Sequence, residues 1–174
     1  GWSEQQKILA SDGDVYDNFG FEADLYNDDF VIGSYRADAS SFNSGKVYSY
    51  HLNNNSWDEN QIILPLAPAF ESLFSNGLAL NNDWIVVGAD GDNDIGERSG
   101  AVYLYQKNQN QLNFIEKMYA FNPAAQQQFG KNIIIDGDIM LISATGSVVS
   151  LGFVHFYRLI NDAWIFQYKF KPND

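Results

Sequence analysis

The chain has 174 residues, 22 acidic and 10 basic, for a formal net charge of −12. Without cysteine it has no disulfide framework, thiolate metal site or cysteine nucleophile. Its charge argues against nucleic acid or an anionic membrane as partner, since phosphate binding needs clustered Lys and Arg.

At 45% apolar and 16% aromatic residues, the chain can bury a core. Its longest apolar runs, Ile133-Ile134-Ile135 and Ile139-Met140-Leu141-Ile142, fall far short of the roughly 18 residues of a spanning helix.

Taken in order, the chain repeats itself. Residues 2–9 open it as a strand-like run starting at Trp2, one period of 55 before Trp57. A loop at 10–18 leads to Phe19, which recurs as Phe74 and Phe129. Apolar runs follow at 19–25, 30–34, 46–52 and 57–64, rich in Val, Ile, Tyr, Phe and Trp and separated by Asn, Asp and Gly. Gly33 and Gly88 share a register with Ser143, and Gly45 with Gly100. Gly152 arrives three residues early, which marks a loop deletion.

Four short antiparallel strands per period describe a β-propeller blade. The expected fold is therefore all-β, with blades at 19–64, 74–119 and 129–171. Residues 2–9 form an additional N-terminal outer strand. The recurring Trp2, Trp57 and Trp164 are expected to pack blade against blade.

The anchors define three elements. Phe-Gly stands at Phe19-Gly20 and Phe129-Gly130, and becomes Phe74-Ser75 in the middle copy. Gly33-Ser34-Tyr35, Gly88-Ala89-Asp90 and Ser143-Ala144-Thr145 form the second. Gly45-Lys46-Val47-Tyr48, Gly100-Ala101-Val102-Tyr103 and Gly152-Phe153-Val154-His155 form the third. This pattern resembles the FG-GAP repeat, the blade of integrin alpha-subunit propellers and of many bacterial surface proteins. The resemblance implies an extracellular or cell-surface location, the periplasm included, and a ligand approaching the face with the long loops. It does not carry the family's calcium sites over. The turns Asn27-Asp28, Asn81-Asn82-Asp83 and Asp136-Gly137-Asp138 are too short for the Asp-rich loop that binds calcium in integrin-type blades.

Within a blade the strands are A to D, inner to outer. Long D-to-A loops (10–18, 65–73, 120–128) and B-to-C loops (35–44, 90–99) share one face, where recognition usually lives. Exposed aromatic and basic candidates there are Tyr16, Tyr35, Arg36, Phe42, Phe70 and Arg98, with Asp38 among them. For Phe42 and Phe70 the competing reading is that they tuck their own loops against the blade. The third copy differs, since 120–128 and 145–151 carry no charge and are expected to abut a neighbouring blade or subunit.

Two acidic clusters share the face. Asp90, Asp92, Asp94 and Glu97 have the spacing that can converge on a hard cation; Asp12, Asp14 and Asp17 are the alternative. Solvated turns with side chains capping backbone amides are the competing reading for both. No cofactor is required, and Ca2+ is the ion these carboxylates would suit. No nucleophile elbow, zinc-binding His motif or phosphate loop is present, and His51 and His155 read as strand residues.

The expected function is a non-enzymatic recognition or adhesion module binding a protein or glycan through the long-loop face. A catalytic or accessory propeller of a carbohydrate-active or other hydrolytic enzyme is the alternative, and a structural spacer the third. Three blades fall below the usual four to eight of a closed ring. A homo-oligomer such as a dimer of three blades, or a longer parent propeller, is therefore expected.

Overall fold

The computed structural model describes residues 1–108, 111–146 and 152–171. Among them, twelve strands form three antiparallel sheets of four. The first sheet orders β1 (Ala23–Tyr26), β2 (Asp29–Ser34), β3 (Lys46–Asn53) and β4 (Ser56–Ile63). The second orders β5 (Phe74–Leu80), β6 (Trp84–Ala89), β7 (Ala101–Asn108) and β8 (Gln111–Met118). The third orders β9 (Phe129–Asp136), β10 (Ile139–Ala144), β11 (Phe153–Ile160) and β12 (Ala163–Phe170). These are three blades, each a simple meander.

Turn chemistry makes the meander. Asn54 and Asn55, between β3 and β4, sit at φ 50° and 66°. Asn161 and Asp162, between β11 and β12, sit at φ 51° and 61°. Two successive left-handed residues form the hairpin turn whose twist matches that of the strands, and Asn and Asp tolerate it best. The bulge repeats too. The outer pairing shifts register at Ser49/Tyr50, Leu104/Tyr105 and Phe156/Tyr157.

Alternation within the strands builds the core between blades. Val31, Val47 and Ile63 leave blade 1 to meet Phe74, Leu78, Val87 and Tyr103 of blade 2. Val86, Val102 and Leu104 leave blade 2 to meet Phe129, Ile133, Met140 and Ile142 of blade 3. Each joint is closed by the same backbone contact. Phe74 N–H donates to the Ser44 carbonyl and Phe129 N–H to the Ser99 carbonyl, both at 3.1 Å. Gly45 and Gly100, at φ 87° and 79°, sit so close to the backbone of Phe74 and Phe129 that a Cβ would collide. That is why the third sequence element begins with glycine.

Three expectations are corrected. Residues 2–9 form no strand, and Trp2 is fully exposed rather than packed between blades. A ladder needs a neighbouring third strand, and β3, β7 and β11 are each already paired to β4, β8 and β12. The Gln6 side chain alone reaches the outer edge of β4, donating to the Trp57 carbonyl at 3.0 Å and accepting from its N–H at 2.8 Å. Second, strand A of blade 1 is only the four residues of β1, shorter than its counterparts β5 and β9. Third, only Trp164 packs blade to blade, edge-on against Trp84; Trp57 packs on Phe30 of its own blade. Most of 145–151 lies outside the described residues.

Candidate functional site

Blade 1 brings its two long loops together. The loop before β1 is tied to β2 by Ser34, whose hydroxyl donates to the Asp17 carbonyl at 2.9 Å. Arg36 N–H donates to the same carbonyl at 3.3 Å. Asp17 is buried, and its carboxylate accepts the Asp14 N–H at 2.9 Å. Tyr16 and Asn18 stand at φ 75° and 59°, so the chain turns tightly and projects the Tyr16 ring into solvent at 83% exposure. For Tyr16, with a bulky side chain, this is a strained backbone position.

Between this loop and the β2–β3 loop lies a cleft of about 510 Å³. Asp12, Asp14, Tyr16, Asp17, Arg36, Asp38 and Phe42 all line it, joined by Asn43 and Lys46. Lys46 pairs with Asp12 at 2.8 Å, and the Tyr48 hydroxyl donates to Asp12 at 2.6 Å. The Lys46 hydrogen bond, then that of Tyr48, holds the Asp12 carboxyl below its ordinary range. Burial, then Asp12, pushes the Tyr48 phenol far up, so it stays a donor. Asp38 accepts the Asn43 N–H at 2.8 Å and fixes the second loop.

Of the aromatic candidates, Tyr16 and Phe42 line the cleft, and Tyr35 and Phe70 do not. Phe42 stacks on Phe70 at 5.5 Å, and both are more than half exposed. The Arg36 guanidinium lies over Tyr35 at 5.4 Å, and Tyr35 packs on Phe21 at 4.4 Å. Among the described residues, Arg36 joins no ion pair. Its charge is therefore free for a ligand. Arg98 is not part of this site. It lies in the β6–β7 loop, half-buried, with its carbonyl accepting the Gln128 N–H at 3.0 Å.

The second acidic cluster is arranged differently. Asp90 is fully buried, accepting from Asn76 Nδ2 at 2.7 Å and facing Lys131 at 3.3 Å. Asp92, also buried, and Asp94 share the Lys117 ammonium at 2.6 and 2.7 Å. Tyr119 donates to Asp94 at 2.9 Å. Burial alone would lower the Lys117 pKa, yet the two carboxylates push it above its usual range. Its hydrogen bond in turn lowers Asp94. The place between Asp92 and Asp94 is thus filled by a tethered cation. Glu97 lies exposed, and among the described residues no three His, Cys, Asp or Glu form a metal-sized group.

Sequence reasoning missed Lys46, Lys117 and Lys131. Lys46 had a signal: it follows Gly45, and its pairing with Ser34 puts it at the loop end of β3. Lys117 and Lys131 reach the cluster across strands, and no local spacing announces them.

A family model described as FG-GAP repeat matches residues 2–50 and 57–105, together more than half the chain. The chain belongs to the FG-GAP repeat family. Each matched FG-GAP unit begins at a tryptophan, Trp2 or Trp57, and ends at the third-strand tyrosine, Tyr50 or Tyr105. The family unit thus joins the outer strand position of one blade to three strands of the next. The third copy lies outside both matches; it has Ser143 in place of glycine and the early Gly152. No curated protein matches the chain. FG-GAP repeats typically occur in extracellular and surface proteins. Among the described residues, no helix is long and apolar enough to cross a membrane.

Proposed function

We propose that this FG-GAP chain is a secreted or cell-surface recognition module that binds a protein or glycan in the blade 1 cleft. One observation carries this: nine residues from two separate loops converge on one opening. The rigid blade holds both loops, so the site is organised before a ligand arrives, which limits the entropy lost on binding. The Tyr35-backed Arg36 supplies a fork of donors for a carboxylate or sugar hydroxyl. Tyr16 and Phe42 supply flat faces for an aromatic residue or a sugar ring. The chemistry is that of binding rather than turnover, because Asp12, Asp17 and Asp38 are each committed to holding the loops.

A glycan array and a surface pull-down with Arg36→Ala and Tyr16→Ala, beside Arg98→Ala, test the proposal. The first two variants are expected to lose about tenfold or more in affinity. Arg98→Ala should bind like the parent. Unchanged binding by Arg36→Ala and Tyr16→Ala overturns the assignment of the cleft.

A further inference from the structure

The blade-to-blade joint occurs twice, and among the described residues blade 1 and blade 3 present its two halves unpartnered. In each joint a leading face carries three apolar residues at equivalent repeat positions: Val31, Val47 and Ile63 in blade 1, then Val86, Val102 and Met118 in blade 2. The next blade inserts its Phe-Gly corner, Phe74-Ser75 or Phe129-Gly130, against them. In blade 3 the same positions are Leu141, Val154 and Phe170. Val154 is 36% exposed and Phe170 47%. Where the Phe-Gly corner would sit there is a cleft of about 410 Å³ lined by Ser143, Ala144, Gly152, Val154 and Phe170, among others.

The complementary half stands on blade 1. Phe19 packs edge-on against Tyr48, as Phe74 packs on Tyr103 and Phe129 on His155. Gly20 has φ 87°, close to the 94° of Gly130, but nothing lies within 4 Å of where its Cβ would be. Blade 1 also shows how a preceding blade would end. Tyr50 donates its hydroxyl to the Leu9 carbonyl at 3.3 Å, as Tyr105 donates to Leu64 at 3.4 Å. Leu64 directly follows the outer strand of a real blade, whereas Leu9 follows a segment without a sheet.

We infer that a second copy of this chain docks its Phe19-Gly20 corner into the blade 3 cleft, head to tail. Two such joints, related by a two-fold axis, close a ring of six blades. Six lies within the four to eight that propellers use. Because the joint already exists twice inside the chain, the new interface continues an established one. Residues 2–9 are the competitor. They hold the place that the partner's β12 end needs, through Gln6, Leu9 and Ile8. Association displaces them.

Sedimentation velocity over a concentration series tests this with the full chain. The parent should form a two-copy particle, and Gln6→Ala, which loosens the competing segment, should tighten it. Val154→Glu and Phe170→Glu change exposed side chains, so the far-UV spectrum should be kept while the dissociation constant rises about tenfold or more. The inference is overturned if parent and Gln6→Ala both stay single at every concentration. It is equally overturned if well-folded Val154→Glu and Phe170→Glu associate like the parent.

Discussion

Blade 2 and blade 3 have much the same pattern but not the same burial. Every residue of β5 and β6 is buried, while their counterparts β9 and β10 alternate and expose Ile134 and Ile139. Val102 is wholly buried, and its counterpart Val154 is not. The difference comes from neighbours, since blade 2 has one on each side. A blade buries one face against the blade before it and the other against the blade after it, so stability accumulates at joints rather than inside sheets.

The Phe-Gly corners test this most severely. Phe129→Ala, in the closed joint of blades 2 and 3, should cost about 4 kcal/mol, seen as a fall in the denaturant midpoint. Phe19→Ala, the same substitution on the face that waits for a second copy, should cost roughly 1 kcal/mol when measured on the dissociated single chain, where Phe19 is only partly buried. Equal losses would break the comparison.

Charge sharpens it next. Lys117→Met leaves the buried Asp92 without its cation and should cost about 3 kcal/mol in the same measurement. Lys46→Met removes a bond to Asp12, whose side chain is 47% exposed, and should cost under about 1 kcal/mol.

A further effect follows pH. His155, fully buried against Phe129, has its pKa pushed down to about 4 by burial, with Lys169 adding to the shift and a backbone hydrogen bond with Phe121 opposing it. Its unfolded value is near 6.5. Between those values the unfolded chain binds the extra proton, so stability is full above about pH 6.5 and falls as pH drops toward 4. About 2 kcal/mol should be lost over that window, read from melting curves, and His155→Phe should flatten it. Asp12 and Asp94, whose pKa values are lowered, contribute stability that is lost only at more acid pH, below their ordinary value of 3.8.

The twelve strands were legible because the period of 55 registers residues that face the same way in each blade. Phe19, Gly45 and Tyr48 announce a joint wherever they recur. Trp2 misled because its pattern is that of an outer strand, and pairing depends on a third strand that no local pattern supplies. The cleft was legible as its separate parts. Tyr16, Arg36, Asp38 and Phe42 stand on loops that a meander must bring to one side. The fate of Asp90, Asp92 and Asp94 was not legible. A carboxylate triplet on a loop looks the same whether solvent, a metal or a lysine faces it. Only the fold of β8 and β9 brings Lys117 and Lys131 to it.

The amide of Gln6 has one more consequence. The outer rim of each blade is an unpaired strand edge, which another chain can extend. On β4 that edge carries Asp58 and Glu59, and Gln6 occupies the backbone of Trp57 in the way a neighbouring peptide would. On β12 the sequence AWIFQYKF has a single charge, Lys169, and no such cover among the described residues. Of the three rims, that of β12 is therefore the template for ordered self-aggregation, and a charged residue there is the guard that β4 already has.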